Sequence, residues 1–221
     1  MPKYFKFYLT WAILVLLVVF IKGKVSTDNI THFLILVYLG LIFVWYKNSK
    51  KDLPINPKKK FIILCVISAA IVEGFYMIHM PVFSGLRITA GMSAGNMLLN
   101  YLIDLIFTIP AYFLIFRTIW FLINKYKYNV WQYTILVALG QALGDGSRTF
   151  LTNPSLLIFI PYVLSNYHAM NIVPFLKVES SLNPQRSDSF FKYLAPLILL
   201  PLVYIICGVF IYTIGPIFGL K

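Results

Sequence analysis

Residues 193–218 read YLAPLILLPLVYIICGVFIYTIGPIF, a run without a single charged side chain. A helix needs about twenty mostly apolar residues to cross the hydrocarbon core of a bilayer, and this run is long enough. The rest of the chain has the same character, because 60% of its 221 residues are hydrophobic, 12% are charged and the mean hydropathy is +0.81. Soluble domains do not have such a composition. The sequence therefore predicts an all-α, polytopic integral membrane protein.

Six further apolar segments precede this run, and polar residues separate them. No segment repeats another, so the sequence gives no support for an inverted-repeat transporter. The first segment follows Lys3 and Lys6, as in a secretory signal, but no small-x-small cleavage site comes after it, so we expect it to remain as a helix. The prediction is a single transmembrane domain over residues 1–221, with about seven spans at 5–21, 30–46, 61–80, 96–123, 130–145, 155–175 and 193–218.

The charged residues predict the orientation of these spans. Lys and Arg outnumber Asp and Glu by 19 to 7, which in a soluble protein could indicate nucleic acid binding. Here the cations lie in loops beside apolar segments, where topology and anionic membrane lipids explain them, so no nucleic acid partner is expected. Thirteen of the cations fall on the side of the amino terminus and five on the other side. The positive-inside rule then predicts a cytoplasmic amino terminus in a multi-pass protein of the cell (inner) membrane.

Three of the predicted spans contain a carboxyl group, at Glu73, Asp104 and Asp145. Ionised groups are costly in hydrocarbon, so they face a protein interior, a water-filled cavity or a partner. With the amino terminus inside, all three acids converge on the outer leaflet. They are the candidate catalytic residues. Each also has a structural interpretation, in which Glu73 pairs with Arg87 and Asp145 stabilises a loop by pairing with Arg148.

Polar side chains near these acids are candidates for contacts with a substrate. His168 lies deeper than the others, past the midplane of the sixth span, where a lone histidine is more often a hydrogen-bonded core residue than a ligand. His32 is expected at the membrane interface. The candidate substrate-binding residues are His79, Arg87, Asn100, Gln141, Arg148, Asn166 and His168.

The glycine-rich segment 84–95 allows two structures. It either re-enters the membrane as a lid over the acids, or forms an outer loop before a helix that Ser93 or Asn96 caps. Small-xxx-small patterns, which let helices approach closely, occur at Gly91 with Gly95 and at Gly140 with Gly144. For the second pattern we expect plain helix packing.

Several chemistries are excluded by what the sequence lacks. A seven-helix metal hydrolase needs three histidines and an acid that converge, and only His79 is expected near the outer acids. The last span has no lysine for a retinal Schiff base, and Cys65 and Cys207 have no metal-ligand spacing. Paired helical histidines for haem, nucleotide-binding loops and serine-hydrolase elbows are missing as well. No metal and no cofactor are therefore predicted.

Two segments carry a likeness to a known family. The helix end Val72-Glu73-Gly74-Phe75 leads into a turn with Pro81 and Gly85-Leu86-Arg87, and Pro161-Tyr-Val-Leu-Ser-Asn-Tyr167 follows later. In these residues the chain resembles the bacterial carotenoid hydratase and lycopene-cyclase-like membrane family. The resemblance implies a helical bundle whose acidic residues protonate a polyene. It departs from the family at Tyr167-His168, where a continuation that includes tryptophan is expected.

Different classes of function fit these residues. The first is an intramembrane enzyme that acts on a lipid or isoprenoid substrate with Glu73 or Asp104 as general acid, since a carboxyl group removed from water can hold its proton near neutral pH. The second is a proton- or cation-coupled carrier in which Asn100, Gln141 and Asn166 contact a small solute. The third is an assembly subunit whose acids pair with another protein's helices. The missing repeats and the odd number of spans favour the enzyme, with membrane lipids as partners and the oligomeric state left open.

Overall fold

The structure, a computed structural model, describes residues 3–23, 25–49, 55–146, 158–185 and 189–220. All regular secondary structure in these ranges is helical. Short 3₁₀ turns occur at Ser84–Leu86, Glu179–Ser181 and Gly215–Phe218, the last of which follows the final α-helix. The α-helices are α1 Lys3–Lys22, α2 Thr27–Asn48, α3 Pro57–Tyr76, α4 Ala94–Lys125, α5 Val130–Gly144, α6 Ile160–Val163, α7 Ser165–Val178 and α8 Phe191–Ile214.

Three of the described helices are long and apolar enough to cross a membrane, namely 27–48, 94–125 and the continuous helical stretch 191–218. The structure therefore confirms an all-helical protein with helices of membrane-spanning length. The predicted third span is too long, because α3 ends at Tyr76 and residues 77–80 turn before Pro81. The predicted sixth span is divided, because the chain leaves helical geometry at Leu164 between α6 and α7.

Helix starts follow from side chains that accept hydrogen bonds from the first turn. Ser26, Asn56 and Ser93 cap α2, α3 and α4 in this way, and Pro57 occupies the first position of α3. Asn129 forms a capping box at the start of α5 with the residue three positions on. These caps fix the residue at which each of the four helices begins.

The short helix α7 lies at the centre of the bundle. It packs against α2, α3 and α5, and twelve of its fourteen residues are buried. Several of its polar residues find partners on the surrounding helices. The Asn171 amide donates to Gln141 Oε1 of α5 at 2.7 Å, and Ser165 Oγ lies 3.2 Å from His32 Nδ1 of α2. Polar pairing of this kind specifies which helices surround α7.

Helices α5 and α8 approach each other closely at two glycines. A Cβ atom at Gly140 would lie 2.5 Å from the carbonyl oxygen of Pro196, and one at Gly144 would lie 2.6 Å from Cβ of Tyr204. Both distances are too short for a real side chain, so only glycine fits. The expectation that this pair serves helix packing is confirmed. At Gly91 and Gly95, in contrast, a Cβ atom would meet open space.

Candidate functional site

A cavity of about 610 Å³ lies between the helices, beside the turn that follows α3. This volume is within the range of small-molecule sites in proteins. Its wall combines apolar side chains with carboxyl groups, imidazole rings and phenol rings. The side chains of these three kinds are Asp28, Glu73, Asp145, His32, His79, Tyr76, Tyr112, Tyr162, Tyr167, Tyr204 and Tyr212.

Glu73 brings a buried carboxyl group to the cavity from the last turn of α3. Its Oε1 accepts a hydrogen bond from the Tyr112 hydroxyl of α4. A second bond holds the two helices together nearby, because the Tyr101 hydroxyl donates to the carbonyl oxygen of Ala70 at 2.7 Å. A carboxyl group with a fixed donor on a packed helix pair has a defined orientation. Glu73 is therefore a positioned acid.

Asp145 reaches the cavity from the carboxyl end of α5, where it is the C-cap residue. Its Oδ2 accepts a hydrogen bond of 2.8 Å from the Tyr167 hydroxyl of α7. The predicted partner, Arg148, lies outside the described residues. The bond to Tyr167 fastens the end of α5 to the central helix and keeps the carboxyl group in the cavity wall.

Asp104 lies behind the cavity wall and does not line it. The side chain is fully buried in α4, and its Oδ1 accepts a hydrogen bond of 2.9 Å from the backbone N–H of Val82, which does line the cavity. Its Oδ2 has no hydrogen-bond partner among the described residues. Asp104 therefore holds the segment around Val82 against α4, and unlike Glu73 it does not contact the cavity.

Asp28 joins two histidines at the cavity, a cluster that the sequence did not predict. Its Oδ1 lies 3.4 Å from Nε2 of His32 and 3.4 Å from Nε2 of His79, and its Oδ2 accepts a 2.9 Å hydrogen bond from the Tyr162 hydroxyl. His32 is buried and lines the cavity. The expectation that His79 is the only histidine near the acids was therefore wrong.

The spacing of two residues at the start of α2 could have revealed this cluster. Asp28 and His32 are four residues apart, so they share one helix face, and that end of α2 lies on the same side of the bundle as His79. In the described ranges no group of three or more His, Cys, Asp or Glu side chains is arranged to hold a metal ion. The cluster is thus a hydrogen-bonded group of acid and imidazoles.

The predicted substrate-binding residues separate into two groups. His79 and Asn166 line the cavity, and Asn166 Oδ1 is buried without a hydrogen-bond partner among the described residues. Gln141 lies behind the wall, where its amide donates to the Tyr204 hydroxyl at 3.2 Å. Arg87 and Asn100 do not line the cavity, and Arg148 lies outside the described residues. No residue of the segment 84–95 lines it either, and Ser93 caps α4 as the loop alternative predicts.

His168 is held away from the cavity by its own hydrogen bonds. Its Nε2 donates to the carbonyl oxygen of Thr134 in α5 at 3.0 Å, so that Nδ1 accepts from the Tyr8 hydroxyl of α1. Both ring nitrogens are satisfied and the ring is fully buried. The structure places His168 as a link between α1, α5 and α7.

Searches of protein families, curated proteins and solved structures give no match to this chain. The resemblance to the carotenoid hydratase and lycopene-cyclase-like family thus stays a prediction. The function has to be argued from the cavity and its side chains.

Proposed function

We propose that this protein is an intramembrane enzyme that acts on a lipid or isoprenoid substrate, with Glu73 as the general acid. The single observation that carries the proposal is the buried Glu73 carboxyl group in the wall of the cavity, oriented by the Tyr112 hydroxyl. A carboxyl group removed from water favours its protonated form. Such a group can transfer a proton to an alkene or to a leaving oxygen.

Other side chains of the wall support this role. Met80, Ile115 and Met170 give the cavity apolar surface for a lipophilic chain. Asp145 supplies a second carboxyl group in the same cavity, oriented by Tyr167. A second acid is what a reaction needs when the intermediate must lose a proton or gain water after the first transfer. Asp104 acts through the turn at Val82 and is a positioning residue.

Deuterium labelling tests the acid role directly. Membranes that contain the wild-type protein are incubated in D₂O, and total lipids are compared by mass spectrometry with membranes that lack it. Proton transfer to carbon places one deuterium on a new product. We expect Glu73→Gln to retain the folded protein, because the amide has nearly the same shape, and to abolish the labelled product. Glu179→Gln, in a surface turn far along the chain, is the matched control and should label normally.

Full labelling with Glu73→Gln would contradict the acid role and would move it to Asp145. A carrier gives a different result, because it forms no product but acidifies or alkalises proteoliposomes when its solute is added. An assembly subunit gives neither signal. The comparison of lipid products with proteoliposome pH therefore separates the three classes of function.

We also infer seven spans with a cytoplasmic amino terminus in the inner membrane. Support comes from the helix bounds, since α1 to α5, the pair α6 and α7, and α8 each overlap one of the seven predicted segments. Helices α5 and α7 have only 15 and 14 residues. Both are shorter than the roughly twenty residues of a full span.

A further inference from the structure

Among the described residues, the wall of the cavity carries acidic side chains and no fixed cation. Asp28, Glu73 and Asp145 line it, whereas no Lys or Arg of the described ranges does. The two imidazoles of the wall, His32 and His79, each lie 3.4 Å from the Asp28 carboxylate and are already paired. A phosphate or carboxylate in this cavity would meet the Asp28 carboxylate, which has the same sign of charge, and no Lys or Arg of the described residues, which is costly away from water.

Three hydrogen-bond donors of the wall are committed within the protein. The Tyr112 hydroxyl donates to Glu73, the Tyr167 hydroxyl donates to Asp145, and the Tyr162 hydroxyl lies 2.9 Å from Asp28 Oδ2 and 2.8 Å from Asn29 Oδ1. A hydroxyl has one proton to donate, so these three groups have none left for an anion. What they present to a ligand is acceptor oxygen and the faces of their rings, which attract cations.

One acceptor in the wall is unsatisfied. Asn166 is buried at 7% exposure, lines the cavity from α7, and its Oδ1 has no hydrogen-bond partner among the described residues. A buried acceptor without a donor is unfavourable by about 1–3 kcal/mol. A ligand that supplies an O–H or N–H group to this oxygen removes that penalty.

From these three observations we propose that the cavity selects lipophilic molecules whose head group is a hydroxyl or an ammonium group and rejects those with a phosphate or carboxylate. The head group donates to Asn166 Oδ1, and the tail lies against the apolar part of the wall. This selection defines the substrate class of the proposed enzyme. It rests on the proposed function in one respect, which is that this cavity is the substrate site. Phosphorylated prenyl chains are outside this class.

Three probes with one tail test the selection. Geranylgeraniol, geranylgeranylamine and geranylgeranyl phosphate are added to the purified protein in dodecyl maltoside, and the thermal unfolding midpoint is followed against concentration. A ligand that binds only the folded state raises this midpoint. We expect the alcohol and the amine to raise it at concentrations at least tenfold below those at which the phosphate has any effect.

A variant at the unsatisfied acceptor locates the site. Asn166→Leu should weaken binding of the alcohol about fivefold to tenfold through the loss of one hydrogen bond. Asn124→Leu changes an exposed asparagine near the inner end of α4, far from the cavity, and should bind the alcohol as the wild type does. If Asn166→Leu does not fold, the relative affinities of the three probes for the wild-type protein still test the selection by head group.

Equal binding of all three probes, or tighter binding of the phosphate, would overturn the proposal. Binding of the three probes to Glu73→Gln distinguishes failure of this proposal from failure of the proposed reaction, because binding needs no proton transfer. If that variant keeps the preference for the alcohol while the deuterium experiment shows no product, the acid role is wrong and the selection by head group stands.

Discussion

His168 illustrates how a polar residue in a membrane helix can serve structure alone. The ring bridges Tyr8 of α1 and the Thr134 carbonyl oxygen of α5. We predict that Tyr8→Phe lowers the free energy of unfolding by about 1–3 kcal/mol, because it leaves Nδ1 of a buried ring unpaired. Thermal and denaturant unfolding in detergent measure the change. Tyr212→Phe, at a tyrosine 64% exposed, is the control and should be close to neutral.

The preference for an alcohol over a phosphate should survive the Tyr8→Phe change, because His168 does not line the cavity. Loss of ligand binding at unchanged stability would instead assign His168 to the substrate. Wild-type stability in Tyr8→Phe would show that the bond to Tyr8 contributes nothing.

Single residues differed in how well they could be predicted. A carboxyl group inside an apolar run is visible in the sequence, so Glu73 and Asp145 were found. Asp28 and His32 were missed because they lie at a helix end, where polar residues are common. The tyrosines that orient the acids were missed because nearly every face of these helices is apolar, and periodicity then does not show which face is inside.

At the scale of helices, the contact of α5 with α8 depends on two glycines. We predict that Gly144→Ala lowers the free energy of unfolding by about 1–3 kcal/mol, because its Cβ would overlap Cβ of Tyr204 and force the helices apart. Gly140→Ala, against the Pro196 backbone, should act in the same direction. Unfolding in detergent provides the measurement.

The control for these variants is Gly40→Ala in the middle of α2, where a Cβ atom meets nothing within 4 Å. It should be neutral or stabilise by up to about 1 kcal/mol, since alanine is the better helix former. If Gly144→Ala were as stable as Gly40→Ala, close contact between α5 and α8 would not occur in solution.

Segment lengths predicted three helix starts to within a few residues. Helices α2, α4 and α5 begin at Thr27, Ala94 and Val130, against predicted starts at 30, 96 and 130, and Ser93 caps α4 as one of the two predicted alternatives. The break at Leu164 could not be predicted, because Pro161 is compatible with the first turn of a helix and polar residues such as Ser165 and Asn166 do not by themselves end one. The central position of α7 was equally hidden, since it depends on contacts with three helices distant in the chain.

For the whole molecule, the inferred topology predicts opposite sides for two loops. Asn48→Cys, at the end of α2, should be labelled by a membrane-impermeant thiol reagent only after the membrane is opened. Thr89→Cys, in the exposed loop before α4, should be labelled in intact cells. Cys65 and Cys207 are buried and are replaced by alanine in both variants. Labelling of both loops from one side would refute the seven-span topology.

The central helix α7 also bears on biogenesis. Ser165, Asn166, His168 and Asn171 make it too polar and too short to partition from the translocon into lipid by itself. Its polar groups find partners on α2 and α5, and it packs against α3 as well. We therefore expect insertion of this segment to depend on these three helices, and the same step completes the cavity wall with Asn166 and Tyr167.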